Sequence, residues 1–358
     1  MIIKTDCKHF RGDIPCGPHK KEGVHCDDCS HYDPISKRIL IIKLGAIGDV
    51  IRTTPLLSRL KADDPHAEIT WVTHTPEILP SIVDRPFRLD LRSTLALTAD
   101  RFDLLFNLDK DVEACSLASL VQASRKRGFI LSHGRAAPID DGAAAKWETG
   151  LFDDVSLKNR KSYQEEAFEI CGYRFQREEY LLDPPTGPVP GPLPKERPLV
   201  GLNTGCGKRW VSRMWPVQRW IDLAKLLERE GMGVVLLGGE DEDAQNREIA
   251  AASGATYLGY FTLRRFLALV DQCDLVVTLV TMAMHLAIGL KKQVVLINNI
   301  FNPYEFELYD RGEILGPDRA CRCFYQATCT QPSHCMETLS VDRVARSCLD
   351  LLQRKGKQ

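Results

Sequence analysis

The sequence predicts an α/β protein made of two doubly wound halves, and three observations predict it. Short aliphatic runs recur with helical stretches between them, a proline-rich run interrupts this pattern near the middle, and the same order then restarts. The 358-residue length agrees, because a domain takes roughly 150 residues.

Composition removes other classes. At 44% hydrophobic and 27% charged, the chain is near the average for soluble globular proteins, which excludes a disordered or fibrous one. With 47 Lys and Arg against 48 Asp and Glu the formal charge is −1, so no global field draws nucleic acid, and no such partner is expected. The longest aliphatic runs, at 39–42 and 234–237, are far shorter than the ~20 residues of a membrane-spanning helix. No apolar signal core precedes Cys7. A cytoplasmic protein is expected, with at most peripheral contact at the inner face of the membrane.

The elements follow in order. Residues 1–36 are a cysteine-rich island with almost no aliphatic periodicity, too short and polar for its own core, so it needs a staple or a docking surface. At Arg38 the character changes. Ile39–Ile42 reads as a strand buried on both faces. A glycine-containing turn follows, and then helical spacing over Val50–Lys61, with Pro55 marking a start or kink. Glu68–Thr73 and Phe102–Leu108 read as strands, Leu117–Ser124 as a helix, and 163–172 as a helix closed by glycine. Residues 183–198 carry seven prolines and form a semi-rigid linker. Beyond it, Leu199–Leu202, Val234–Leu237, Leu275–Thr278 and Val294–Ile297 are strands, and Pro216–Glu230 is a helix. The expected domains are therefore 37–182 and 199–340, both Rossmann-like, facing an interdomain cleft. A last helix from Val341, expected at their junction, ends in a short tail.

Three constellations carry chemistry. The first is Gly45-x-x-Gly48-Asp49 directly after the first strand. Glycines let a backbone turn tightly and approach a ligand. The dinucleotide pattern needs a further glycine, absent here, which weakens a dehydrogenase reading. Asp49 is a candidate general base at a strand's carboxyl end, or else an aspartate that caps the helix. The second constellation, 203–216, holds Thr204, Gly205, Lys208, Arg209 and Arg213 with no acid beside them in sequence. A basic glycine loop ahead of a helix suits a diphosphate, and a solvated loop over Trp packing is its alternative. The third is Thr281 through His285 after a later strand; His285 faces a ligand there or is a hydrogen-bonded core histidine.

Together these segments resemble the ADP-heptose:lipopolysaccharide heptosyltransferases, glycosyltransferase family nine. The opening RILIIKLGAIGDVIRTTPLLSRL, the stretch GLNTGCGKRWVSRMWPVQRWIDLAKLL, the MHLAIGL segment and the cysteine-bearing end carry the resemblance, which spans roughly residues 38–352. It implies the two-Rossmann GT-B fold and an inverting, metal-independent sugar transfer from a nucleoside-diphosphate donor to a glycolipid or saccharide acceptor. It also implies that Asp49 is the base, that Gly45 and Gly48 form the acceptor-side loop, and that Arg213 and Lys208 hold the diphosphate. Thr204, Gly205, Thr281 and His285 would line the donor site. The chain departs from the family where Val280-Thr281-Met282 replaces Asp-Ser/Thr-Gly, and Glu305 or Glu307 is the expected substitute contact to the donor. Another nucleotide-sugar enzyme on the same scaffold, such as an epimerase, and a non-catalytic nucleotide-sugar-binding protein are the alternatives.

Eight of the thirteen cysteines fall in two short segments. Cys7, Cys16, Cys26 and Cys29 suit a structural zinc, and an iron–sulfur cluster uses the same ligands. Cys321, Cys323, Cys329 and Cys335 form a second metal site, a disulfide-capable patch or plain packing. Reduced, unliganded thiols are the alternative for the first four.

Overall fold

Two parallel sheets organise the protein, whose structure is a computed structural model describing residues 2–355. The chain splits into two compact units: Met1–Trp147 with Glu166–Leu181, and Glu148–Glu165 with Leu182–Gln358. The proline run at 183–198 contains no helix or strand and opens the long stretch of the second unit. Residues 148–165 fold with that second unit although first-unit sequence flanks them on both sides.

The N-terminal island has one short helix, α1 (Gly17–Glu22), and is held by docking. Its two ends are laced together by Lys8 N–H to the Asp33 carbonyl at 2.9 Å and Ile35 N–H to the Asp6 carbonyl at 2.7 Å. The Ser36 hydroxyl donates to Asp64, and His66 meets Asp33 at 2.9 Å, which ties the island to the body of its unit. These contacts supply the staple that so polar a segment requires.

The first sheet grows from β1 (Arg38–Ile42), followed by α2 (Ile47–Ile51) and α3 (Pro55–Asp63). Pro55 begins α3, where its missing N–H costs nothing. Next come β2 (Glu68–Thr73), β3 (Arg85–Arg88), α4 (Leu91–Ala99), β4 (Arg101–Asn107) and α5 (Val112–Leu120). Then follow β5 (Gln122–Ser132), β6 (Arg135–Pro138) and α6 (Asp141–Thr149). The helix expected over 117–124 ends at Leu120, and 122–124 open β5. Strand order is β3-β2-β1-β4-β5-β6, parallel except for the antiparallel β5–β6 hairpin. Leu40 and Ile42 of β1 pack with Leu97, Leu105 and Leu117 in the core. All six residues of β2 are buried, Glu68, Thr70 and Thr73 among them, as in a strand covered on both faces.

Two helices, α7 (Asp153–Lys158) and α8 (Tyr163–Cys171), precede the proline run. Gly172 follows α8 at φ +80°, a left-handed position at which the expected glycine closes the helix. The second sheet starts with β7 (Leu199–Asn203), then α9 (Val217–Arg229), β8 (Gly233–Leu237), α10 (Asp243–Ser253) and α11 (Leu263–Gln272). It ends with β9 (Leu275–Leu279), α12 (Met282–Gly289), β10 (Gln293–Ile297), β11 (Gly312–Leu315) and α13 (Val341–Lys355). Its order is β11-β10-β9-β7-β8, all parallel. Helix α13 buries Val344, Ala345, Cys348 and Leu351 in the core of this unit, alongside Leu223 and Leu227 of α9. The tail expected over 354–358 is still helical to Lys355, and 356–358 lie outside the described residues. Among the described residues no helix is long and apolar enough to cross a membrane.

Candidate active site

In the first sheet, β1 connects towards β2 while β4 lies on its other side, so strand order reverses between β1 and β4. Such a switch point opens a crevice at the carboxyl ends of the strands. The residues that follow both strands meet there. Lys43, 4% exposed, forms an ion pair with Asp109, whose other oxygen accepts from the Leu44 N–H. Asn107 orients this carboxylate: its Oδ1 accepts from the Asp109 N–H at 3.1 Å and its Nδ2 donates to the Phe129 carbonyl at 2.7 Å. A buried pair of this kind is strongly destabilised, by about 3–5 kcal/mol, when one partner is removed, because the other is left charged out of water. It clamps the loop that carries Gly45 and Gly48.

Asp49 lies in the first turn of α2 and is half-buried, with its carboxylate 2.7 Å from Nη2 of Arg52. The capping position is Ala46, with no side-chain cap, so Asp49 is not the N-cap residue.

The second sheet reverses between β7 and β9. Asn203, the last residue of β7, lies with its Nδ2 3.2 Å from both the Thr278 and Thr281 hydroxyls and 3.1 Å from the Gly205 carbonyl. This one amide ties the glycine loop to the loop after β9. Thr204 is fully buried, its hydroxyl donating to Asn246, and its carbonyl accepts from Gln245 Nε2 at 3.2 Å. Gly205 is required by close approach, since a Cβ there would stand 2.1 Å from Cγ of Glu242. The Glu242 carboxylate then accepts from the Gly207 and Gly239 N–H groups, both at 2.9 Å, joining the loops after β7 and β8.

Arg213 is 8% exposed and bridges the same two strand ends, donating to the Val280 carbonyl and, at 3.3 Å, to the Cys206 carbonyl. Burial lowers the pKa of its guanidinium below the ordinary arginine value. Phe301 lies under it at 5.3 Å from the ring centroid. Lys208, by contrast, is exposed and paired with Asp241 at 2.8 Å. That hydrogen bond and its charge raise the ammonium above the usual lysine range. The loop, acid-free in sequence, is therefore corrected by the fold: Asp241 and Glu242 fold back onto it.

Thr281 is the N-cap residue of α12, and His285 is 6% exposed within that helix between Met284 and Leu286. Glu305 accepts from the Tyr325 hydroxyl, so its carboxylate already has a partner within the protein.

The cysteines do not fit the metal expectation. Among the described residues no group of three or more His, Cys, Asp and Glu side chains is arranged to hold a metal ion. Cys7, Cys16, Cys26 and Cys29 are separately half-buried, in a segment that hydrogen bonds already order. At the C-terminal end Cys323 Sγ stands 3.7 Å from Cys329 Sγ, while Cys321 and Cys335 lie 3.9 and 3.5 Å from Nδ2 of Asn299. Burial pushes the Cys321 thiol up to about 12, while hydrogen bonds, first that of the Thr330 backbone, pull the Cys323 thiol down. A structural zinc or iron–sulfur cluster at these eight positions has no support in the fold.

Sequence reasoning missed Glu242, Asn246 and Asp109, and it placed Asn203 and Lys43 in the two loops without giving either a role. A lysine closing an aliphatic run and an acidic run after Gly238-Gly239 were the available signals. Their partners lie far away in sequence, 66 residues for Lys43 and Asp109, so only topology pairs them.

Comparison with known proteins places the chain. The model of glycosyltransferase family 9 (heptosyltransferase) matches residues 91–315. Lipopolysaccharide heptosyltransferase 1 of Pseudomonas aeruginosa is 22% identical over 328 residues, covering 83% of this chain and 88% of that protein. Lipopolysaccharide heptosyltransferase 2 of Salmonella typhimurium is 30% identical over 118 residues, covering 31% of this chain and 34% of its own length. Among solved structures, a family 9 glycosyltransferase from Veillonella parvula aligns with a TM-score of 0.67 at 18% identity, over 89% of this chain and 98% of its own. The E. coli ADP-heptose lps heptosyltransferase II aligns with a TM-score of 0.65 at 18% identity, over 89% and 99%. These structures share the α/β fold of parallel sheets described above. With more than half of its length matched by the family model, the chain belongs to glycosyltransferase family 9 and is a glycosyltransferase.

Proposed function

We propose that the protein is an inverting, metal-independent transferase that moves heptose, or a closely similar sugar, from a nucleoside-diphosphate donor to a lipopolysaccharide-like glycolipid or saccharide, on the cytoplasmic side of the membrane. The names of the relatives support the sugar and the acceptor class. The observation that carries the reading is the position of Asp49, in the first turn after β1 at a strand-order reversal and free of the capping role.

In this reading Asp49 takes the proton from an acceptor hydroxyl as that oxygen attacks the anomeric carbon. The bond from that carbon to the diphosphate oxygen breaks on the opposite face, which inverts the centre. The leaving diphosphate carries the bonding electron pair and is stabilised by fixed donors rather than by reorganising water. Arg213 and Lys208 are assigned to it, with Thr204, Gly205, Thr281 and His285 around the donor. Gly45 and Gly48 shape the acceptor-side loop. Glu305, replacing the family acid, would have to release Tyr325 to reach a donor hydroxyl. With cations assigned to the leaving group, transfer is expected to persist in EDTA.

The test is Asp49→Asn. A lost general base lowers kcat by roughly 10²–10⁴-fold, while donor binding and melting temperature stay near wild type. A variant that transfers sugar at the wild-type rate overturns the assignment of the base.

A further inference from the structure

The proposed transfer makes no use of the cysteines at 321–335, yet they lie against the segment that carries Arg213. The Sγ atoms of Cys323 and Cys329 stand 3.7 Å apart, at the two ends of a short loop. A disulfide has its sulfurs roughly 2.05 Å apart, so a closure of roughly 1.7 Å would make one. Cys323 is 1% exposed and Cys329 half-buried, so a small oxidant in solvent meets Cys329 first. Cys321 and Cys335 lie beside the pair as acceptors, the first from the Cys323 N–H at 3.3 Å and the second from Asn299 Nδ2 at 3.5 Å.

The loop between these two cysteines supports the donor side. Its Gln326 carbonyl accepts from the Ser212 hydroxyl, and its Ala327 carbonyl accepts from the Ser212 N–H at 3.0 Å. Ser212 is 2% exposed and immediately precedes Arg213, whose guanidinium spans the Val280 and Cys206 carbonyls. Tyr325, in the same loop, has φ +49°, in the left-handed region that costs a residue with a side chain. Its N–H donates to the Ile300 carbonyl at 3.0 Å and its hydroxyl to Glu305. A strained residue of this kind persists only where its surroundings over-determine it. The loop therefore has little slack, and drawing its ends together moves the two carbonyls off Ser212.

We infer that Cys323 and Cys329 form a reversible oxidation site whose disulfide weakens donor binding. The consequence for the donor rests on the reading of Arg213 given above; the oxidation itself does not. The Cys329 thiolate attacks one oxygen of hydrogen peroxide, the O–O bond breaks, hydroxide leaves, and the sulfur becomes a sulfenic acid. The Cys323 thiolate then attacks that sulfur, the S–S bond forms, the S–O bond breaks, and a second hydroxide leaves. In sum the two thiols lose two electrons and two protons, and the peroxide is reduced to two waters. A dithiol reductant reverses the step by thiol–disulfide exchange.

The experiment treats the reduced full chain with hydrogen peroxide, digests it without reductant and reads the linked peptides by mass spectrometry. ADP affinity is measured by calorimetry before oxidation, after it, and after dithiothreitol. A Cys323–Cys329 linkage should appear with peroxide and vanish with dithiothreitol. ADP should bind the oxidised protein roughly fivefold or more weakly, the lower end of ordinary coupling between sites. Cys329→Ser and Cys329→Ala should bind ADP as reduced wild type does and keep that affinity in peroxide. Absence of the linkage, or pairing of either cysteine with a different thiol, overturns the oxidation site. An ADP affinity that is equal in both redox states, or that falls as far in the Cys329 variants, overturns its effect on the donor. Should the linkage form in protein whose reduced state binds no ADP, the donor reading falls and the oxidation site stands.

Discussion

Lys110 follows the β4 strand end with its ammonium 5.9 Å from the Phe129 ring centroid and its Nζ 3.3 Å from the Lys146 carbonyl. Burial first, and then the neighbouring Lys146, bring its pKa down to about 8; Glu166 and Asp109 pull the other way and Lys43 adds to the depression. An unfolded lysine keeps a value near 10.4. Below pH 8 both states hold the proton and the folded state bears the full penalty of the buried charge. Between pH 8 and 10.4 only the unfolded state retains it, so stability rises with pH across that window. Lys110→Met is therefore expected to stabilise the protein at pH 7, by on the order of 1–3 kcal/mol, with the gain fading towards pH 10. Denaturant midpoints at the two pH values check this, and an equal gain at both refutes it. The same crowding of cations at one strand end explains why Asp109, unremarkable in sequence, has to be where it is.

Among the elements, α9 shows how one helix anchors the second unit. Trp215, just ahead of it, and Trp220 within it are both fully buried and meet edge to face with centroids 5.0 Å apart. Trp215 Nε1 donates to the Leu339 carbonyl at 3.2 Å, while Trp220 Nε1 is buried without a partner. Phenylalanine at 215 loses a bond and strands a carbonyl, whereas at 220 it removes an unsatisfied donor. Unmet buried groups cost about 1–3 kcal/mol, so Trp215→Phe should destabilise more than Trp220→Phe, by roughly 1–2 kcal/mol in urea unfolding. The reverse order would contradict it. Elements of this sort were legible in the sequence: β1 and β7 to β10 are largely apolar runs buried on both faces, and β2 is rich in β-branched and aromatic residues. The edge strands β3 and β11 were not. Residues 85–88 (Arg-Pro-Phe-Arg) and 312–315 (Gly-Glu-Ile-Leu) are short and partly polar, as edges are, and carry no period of their own. The candidate site divides in the same way. Glycines directly after strands pointed to the Gly45–Asp49 turn and the Thr204–Gly207 loop, but the residues that fix those loops, Asn203, Glu242 and Asp109, act through partners supplied by other strand ends. The cysteine clusters misled because spacing alone does not show that a segment has other means of being ordered.

For the whole molecule, a donor nucleotide that binds only the folded protein shifts its stability by mass action. At a hundredfold excess over Kd the gain is about 2.7 kcal/mol, visible as a rise in melting temperature. ADP is expected to produce it in wild type and in Asp49→Asn, and to lose most of it in Arg213→Ala; an undiminished shift in the arginine variant would remove that residue from the donor site. The chain's path between its units has a separate consequence. Because 148–165 fold with the second unit while 166–181 return to the first, the polypeptide changes allegiance three times. No single cut can therefore yield two intact halves: a fragment starting after the proline run lacks α7, and Asn302 loses the Ser156 and Asn159 carbonyls that hold it. During synthesis the first unit, too, must wait for residues 166–181 to emerge before it is whole, and the stretch between stays unsupported until the segment carrying Asn302 has been made.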